Sequence, residues 1–400
     1  MRWFLFLPLL AAIPGIASAG PLTFDAALRK AKNDAPSIRA KMLGADAARS
    51  ARGAAGALPD PTLAVGIDSF PVSGPLAFRP SRDDFTMARF GVSQEFPNLA
   101  KRHAQQTRAD SDIKAAEADT AVEARTVEVG TALAWINLAY TERRVVALDG
   151  LLTRLDRVVG TTRSSVVSGN TRPAQTLAGQ QAVAALKDRR AELVSQVARA
   201  RAMLKRWTGE PDPEIAGQIP DFAIDASSLS AGLDANPTIR MIDAQSAQAN
   251  AAVRVAEANR RPDFGVNLAY QRRDPRFGDY VSAGVSVSLP MFTRRRQNAE
   301  IGAAQAQAGR VAAEREAARR ALAADLEADT ADHLMHHEQW MRARDTLQPL
   351  AEQRVTLETA SYAAGRASLV DVADAYAALV DATLTTLDRE ALVASDGARL

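Results

Sequence analysis

The stretches Ala35–Ala40, "APSIRA", and Leu58–Ile67, "LPDPTLAVGI", return later in the chain as Asn236–Met241, "NPTIRM", and Arg260–Ala269, "RRPDFGVNLA". Five residues recur at one constant interval: Pro36, Ile38, Arg39, Pro61 and Val65 reappear as Pro237, Ile239, Arg240, Pro262 and Val266. A second block repeats in the same way, and it consists of Arg89–Asn98 and its copy Ser282–Met291. This self-similarity predicts a tandem duplication of one structural unit.

Composition favours helices over a bulky globular core. The chain has 400 residues and is 47% hydrophobic, but only 5% of its residues are aromatic. Alanine-rich, charge-rich sequence is typical of long, closely packed helices. The net charge of +2 lacks the basic excess that holds nucleic-acid phosphates, so we expect no nucleic-acid partner.

The first residues have the pattern of a secretory signal. An apolar run, Phe4–Ile16, follows Arg2 and ends before Ala17-Ser18-Ala19, which has the small residues of a cleavage site. We therefore expect a signal peptide over residues 1–19 and a mature chain that begins at Gly20. The chain has no cysteine, so we expect neither a disulfide nor a lipid attached to cysteine.

Proline spacing marks where long helices can run. No proline lies between Pro97 and Pro173, between Pro173 and Pro211, or between Pro290 and Pro349. An interior proline costs a helix about 3 kcal/mol, so these tracts predict helices. A helix of roughly 65 residues would be about 100 Å long, which exceeds an ordinary globular domain.

Four stretches alternate between apolar and small or polar residues, which predicts strands at about 62–70, 85–96, 264–271 and 280–290. In the second stretch the apolar parity switches near Ala88, which a β-bulge there would explain. Small and polar residues on one face suit a channel lumen. Four strands cannot close a membrane barrel, so several chains would have to pool them; the soluble alternative is a small sheet that caps a helical bundle.

The predicted domains are a first repeat over residues 20–207, a linker over 208–228 and a second repeat over 229–400. Each repeat ends in a long helical hairpin, with reversals near 166–173 and near 361–368. Gly169 and Gly365 lie where a helix must end, a position that favours glycine.

The second reversal carries the motif Tyr362-x-x-Gly365-x-x-Ser368-Leu369-Val370-Asp371-Val372-x-Asp374-Ala375. With this motif, the duplication and the strand pairs, the chain resembles the TolC-type outer membrane efflux proteins from Phe24 to about Asp388. Its compact, cysteine-free architecture looks most like the heavy-metal cation efflux (CzcC-like) branch. The first tip departs from the motif at Asn170–Pro173.

The resemblance implies a mostly α fold with a small membrane β-barrel. Tandem long hairpins would form a periplasmic coiled-coil tunnel, and a homotrimer would pool four strands per chain into a 12-stranded barrel. The implied partners are a periplasmic adaptor, a proton-driven inner-membrane transporter and outer-membrane lipid.

The implied function is passive conduction of heavy-metal cations out of the cell through an outer-membrane exit channel, without enzyme activity or cofactor. Two alternatives stay open: the same channel exporting drugs, other small molecules or polypeptides, and a periplasmic coiled-coil scaffold without a pore.

The resemblance also implies site residues. Asp371 and Asp374 match the acidic ring that narrows such a tunnel, where three copies would favour cations. The tips that would contact the adaptor contribute Gly169, Gly365, Arg366, Ser368 and Leu369.

His333, His336 and His337 form a histidine cluster whose helical spacing places imidazoles near one face, where they could bind a divalent metal ion. The alternative is an exposed or inter-helix polar patch. Arg294–Arg296, after the last predicted strand, would meet lipid headgroups or simply mark a solvated boundary.

Overall fold

The computed structural model describes residues 20–167 and 173–400. The helices are α1 (Phe24–Asp34), α2 (Pro36–Ala54), α3 (Leu99–Val167), α4 (Pro173–Thr208), α5 (Ala226–Ala231), α6 (Pro237–Ala258), α7 (Gln297–Arg342), α8 (Gln348–Ala363) and α9 (Leu369–Arg399). The strands are β1 (Thr62–Asp68), β2 (Met87–Phe96), β3 (Phe264–Arg272) and β4 (Tyr280–Val287). The prediction of a mostly helical chain with one small sheet is confirmed. The predicted signal peptide and Gly169 of the first tip lie outside the described residues.

Among the residues that the structure describes, no helix combines the length and the apolar character needed to cross a membrane.

The chain divides into two compact units that do not coincide with the repeats. The sheet unit comprises residues 35–127 and 224–331, and the tip unit comprises the described residues of 1–34 together with 128–223 and 332–399. Each unit therefore takes residues from both halves of the sequence.

In the sheet unit, four antiparallel strands lie in the order β1-β2-β3-β4. Directly opposed residues share a face, so the register collects the large apolar side chains on one side. These are Leu63, Val65, Ile67, Phe90, Val92, Phe96, Phe264, Val266, Leu268, Tyr270, Val281, Val285 and Val287, and all are exposed.

The other face of the sheet carries mostly small and polar residues. Asn267, for example, is opposed by Ser93 on one side and Gly284 on the other. A Cβ added to Gly284 would lie 2.6 Å from Asn267 Oδ1, so the asparagine fits only because its neighbour has no side chain.

The β-bulge that would explain the parity switch near Ala88 is not present. The register is continuous from Met87 to Ser93 against β1 and from Ala88 to Phe96 against β3. The parity switch arises because the strand begins at Met87, and Phe85 belongs to the preceding loop, where it is 66% exposed.

All four connections between long helices and strands lie at one end of the sheet. Helices α2 and α6 precede β1 and β3, and helices α3 and α7 follow β2 and β4. Side-chain ion pairs join α2 to α3, as between Lys41 and Asp119 at 2.7 Å and between Arg52 and Asp110 at 2.5 Å. In the first half of the sequence the cation of each pair lies on the helix before the strands. In the second half it lies on the helix after them, because Arg315 on α7 pairs with Asp243 on α6 at 2.5 Å. Exposed pairs of this kind add little stability each.

The tip unit has two apolar cores. One surrounds Trp135, whose Nε1–H donates to the backbone oxygen of Leu22 at 3.0 Å while Phe24 packs edge-on at 5.5 Å. The other lies between α3, α4, α8 and α9, with Leu148, Leu155 and Val372 fully buried.

Helices α7 and α8 are joined by one π-helical turn, Ala343–Leu347. Pro349 follows the π-helical turn directly in α8, and such turns are places where a helix accommodates a break in its hydrogen-bond ladder. The helical path therefore continues past the proline that the sequence suggested as a boundary.

Candidate functional site

The reversal between α8 and α9 is built by a glycine that ends the first helix. Gly365 has φ +69°, a left-handed conformation that glycine adopts without a Cβ penalty. The Gly365 N–H donates to Tyr362 O at 2.9 Å, and the Arg366 N–H donates to Ser361 O at 2.8 Å. These two bonds form a Schellman motif, which satisfies the last carbonyls of α8.

Two residues later, a reciprocal cap opens α9. Asp371 accepts from the Ser368 N–H at 2.8 Å and from the Ser368 hydroxyl at 2.7 Å, and the Asp371 N–H lies 3.2 Å from the same hydroxyl oxygen. This arrangement is a capping box with aspartate in the acidic position. The side-chain and backbone hydrogen bonds from Ser368 lower the pKa of Asp371 below its ordinary value of 3.8.

Leu369 packs the reversal against helices α3 and α4 of the tip unit. Its side chain is 0% exposed and packs on Gly179 of α4, where an added Cβ would lie 2.6 Å from Leu369 Cδ2. Val159 of α3 approaches the same point, since its Cγ2 would lie 3.3 Å from that Cβ. The residues predicted to contact an adaptor at this tip differ in exposure. Gly365 and Arg366 are exposed, Ser368 is half-buried and Leu369 is buried.

Asp371 and Asp374 both lie exposed in the first turns of α9. Neither forms an ion pair within the described residues, although Arg354 exerts an electrostatic influence on Asp371. Farther along the same helix, Asp381 lies 3.7 Å from Arg189 and Asp388 lies 2.6 Å from Arg144. Negative charge on α9 is thus left uncompensated near the tip and compensated away from it.

The structure separates the histidine cluster into two groups. His333 and His337 have ring centroids 6.4 Å apart with planes tilted by 37°, and both line a cavity of about 610 Å³. The ring of His336 instead forms a hydrogen bond with the buried Asp396 at 2.7 Å. Burial lowers the pKa of His333 below its ordinary value. Within residues 20–167 and 173–400, no group of three or more His, Cys, Asp or Glu side chains is placed to hold a metal ion.

A polar and aromatic lining around this cavity was not anticipated from the sequence. Trp340, Arg143 and Glu390 border both this cavity and a neighbouring one of about 690 Å³. Arg143 lies 3.7 Å from Glu390, and burial raises the pKa of the adjacent Tyr140. These residues come from α3, α7 and α9, so no local sequence signal brings them together.

Comparison with known proteins gives one family match and a consistent fold. Residues 229–400 match the family model described as outer membrane efflux protein. No curated protein sequence matches the chain.

Solved structures match almost the whole chain. A membrane protein from Pseudomonas aeruginosa is 15% identical with a TM-score of 0.80, covering 94% of this chain and 89% of that one. The open state of the Neisseria gonorrhoeae MtrE outer membrane channel is 16% identical with a TM-score of 0.76, covering 94% and 87%. The outer membrane protein VceC from Vibrio cholerae is 18% identical with a TM-score of 0.73, covering 94% of each chain. The chain therefore has the fold of outer membrane channel structures, and its second half matches the outer membrane efflux protein family.

Proposed function

We propose that the whole chain is a TolC-type outer-membrane efflux protein and that it serves as the passive exit channel of a tripartite efflux pump. The observation that carries this proposal is the sheet. One face is apolar and exposed, as at Leu63 (71%), Val65 (65%) and Val285 (73%), and the other face is small and polar. A lipid-facing outside and a water-facing inside require this division.

The sheet also supports a homotrimer. β1 and β4 are the edge strands of the described sheet. Unpaired backbone groups at such edges cost several kcal/mol each in hydrocarbon, so the edges must pair with other copies. Three chains pool twelve strands into one barrel in the outer membrane, after export directed by the signal peptide. The helices form the periplasmic tunnel.

At the periplasmic end, the tip contacts an adaptor protein, which links the channel to a proton-driven inner-membrane transporter. The exposed Gly365 and Arg366, together with the half-buried Ser368, form the contact, and Leu369 anchors it from inside. Gly169 belongs to the matching tip of the first repeat.

Asp371 and Asp374 form the pore constriction. Three copies bring six uncompensated carboxylates to one ring, which attracts cations and repels anions. Asp381 and Asp388 have arginine partners and do not belong to this constriction.

Heavy-metal cations are the substrate class that we propose. The acidic ring favours cations of any kind, and imidazole nitrogens at His333 and His337 suit borderline divalent metals. His336 takes a structural part through its bond to Asp396.

A deletion strain tests the substrate. Growth would be measured on cobalt, zinc, cadmium, copper, nickel and a drug panel, with rescue by the wild type, by His333→Ala/His337→Ala and by His336→Ala. We expect metal sensitivity that the wild type and His336→Ala rescue and the double variant rescues poorly. Sensitivity to drugs alone would reject metal export and keep the channel.

Cell fractionation separates a channel from a periplasmic scaffold. A channel sediments with the outer membrane and stays oligomeric in mild detergent. A scaffold without a pore would appear in the soluble fraction, and that outcome would overturn the proposal.

A further inference from the structure

Five exposed arginines gather at the end of the sheet where the helices attach. They are Arg260, Arg261, Arg294, Arg295 and Arg296, and we call them the arginine rim. Three contacts hold the two loops that carry them together: Arg260 donates to Asn298 Oδ1 at 2.6 Å, the Asp263 N–H donates to Ser288 Oγ at 2.9 Å, and the Ser288 N–H donates to Asp263 O at 2.9 Å. The rim is therefore part of an ordered turn structure.

Little of this positive charge is neutralised. Arg296 lies 3.7 Å from Glu300, but Arg261, Arg294 and Arg295 form no ion pair with the residues that the structure describes. The nearby carboxylate of Asp263 is occupied by Asn98 and by Lys101, whose Nζ lies 3.1 Å away. The guanidinium groups of Arg261, Arg294 and Arg295 are thus exposed and have no carboxylate partner among the described residues.

Large apolar side chains are exposed directly beside the rim. Leu289, Met291 and Phe292 are 67%, 77% and 79% exposed, and they lie between β4 and the three consecutive arginines. Leu289 continues the apolar alternation of Val285 and Val287 along the chain, and the opposed pair Phe264 and Val287 is the last pair of β3 and β4 at this end of the sheet. Along the chain, the surface changes from apolar strand to apolar turn to arginine.

Membrane proteins show the same order of side chains from the hydrocarbon core of the bilayer outward to the lipid headgroups. Arginine suits phosphate because its planar fork donates two parallel hydrogen bonds. A nucleic acid or an acidic protein would explain the charge but would leave Met291 and Phe292 exposed to water without a role.

We propose that the arginine rim binds the phosphates of anionic phospholipids at the bilayer surface, while Leu289, Met291 and Phe292 enter the acyl region beneath them. This inference rests on the proposed outer-membrane function. It adds the lipid class and the residues that bind it.

The test compares two triple variants of the full chain, purified in mild detergent. Arg294→Gln/Arg295→Gln/Arg296→Gln removes three rim charges. Arg310→Gln/Arg319→Gln/Arg320→Gln removes three charges farther along α7, each of which has a carboxylate partner. Binding of tail-labelled phosphatidylglycerol and phosphatidylcholine is followed by fluorescence anisotropy, with inorganic phosphate in large excess as a competitor. Unchanged circular dichroism and oligomer size show that each variant is folded.

We expect the wild type and the control variant to prefer phosphatidylglycerol by at least about tenfold, since clustered arginines are attracted to an anionic lipid surface. The rim variant should lose that preference, and inorganic phosphate should not compete. Equal preference in both variants would overturn the proposal, and so would full competition by inorganic phosphate, which would indicate a free-anion site. If the chain fractionates with the outer membrane but shows no lipid preference, only lipid binding by the arginine rim is contradicted. If the chain is soluble, the proposed function itself is contradicted.

Discussion

The carboxylate of Asp371 accepts two hydrogen bonds from Ser368, one from its backbone N–H at 2.8 Å and one from its hydroxyl at 2.7 Å. The residue that we place in the pore constriction therefore also starts helix α9. These two roles of Asp371 can be separated by experiment. Ser368→Ala removes the hydroxyl that takes part in the cap and leaves the charge of Asp371 in place.

The cap should depend on pH. Because the pKa of folded Asp371 lies below its ordinary value of 3.8, its contribution to stability is present above about pH 4 and is lost as pH falls further. Asp371→Asn should therefore unfold at a lower temperature than the wild type at neutral pH, and the two midpoints should converge below pH 4. Ser368→Ala should cost about 1 kcal/mol and flatten the pH dependence. A midpoint difference that stays constant with pH would contradict the cap.

Cation preference should depend on the two acids near the tip. In planar bilayers, Asp371→Asn/Asp374→Asn should lower the potassium-to-chloride permeability ratio by roughly severalfold, because the uncompensated charge at the ring is removed. The matched control is Asp381→Asn/Asp388→Asn, which removes two acids that already have arginine partners. Equal ratios in the two double variants would remove Asp371 and Asp374 from the constriction.

Gly365 should be replaceable only by residues that tolerate a left-handed backbone. Nothing lies within 4 Å of a Cβ added there, so the cost of Gly365→Ala is that of its φ of +69°. We expect a loss of about 1 kcal/mol in the free energy of unfolding, and a smaller loss for Gly365→Asn. Denaturant titration of both variants checks this order, and an alanine variant as stable as the asparagine variant would contradict it.

Much of the fold could be predicted from the sequence because its signals are local. Alternation in Phe264–Arg272 predicts a strand, since each side chain's face is set by its neighbours along the chain. Gly365 and the Ser368–Asp371 pair are likewise local, because a reversal needs a left-handed residue and a new helix needs a cap.

Contacts between distant residues could not be predicted in this way. Leu369 looks available for a partner in the sequence, but it packs on Gly179 of another helix. His336 looks like a third metal ligand by spacing, but it bonds Asp396, which lies 60 positions away. Both outcomes depend on how helices pack, and a single sequence gives no direct information on that packing.

Gly130 allows α3 and α4 to approach closely. A Cβ added there would lie 2.7 Å and 2.8 Å from Trp207 Cε2 and Cη2, and an indole cannot bend away as a flexible chain can. Gly130→Ala should therefore destabilise the protein by about 1–3 kcal/mol through overpacking. Gly150→Ala on the same helix meets nothing within 4 Å and should stabilise by about 0.5–1 kcal/mol. Thermal unfolding of the two variants would contradict this packing if both shifted in the same direction.

The central claim is that this chain forms a trimeric outer-membrane channel, and its oligomer mass tests that claim most directly. The full chain would be extracted from separated outer membranes in mild detergent, and its protein mass would be measured by light scattering after size exclusion. The account predicts that the chain is found in this fraction with the mass of three mature chains. A chain recovered from the soluble fraction as a monomer would contradict it.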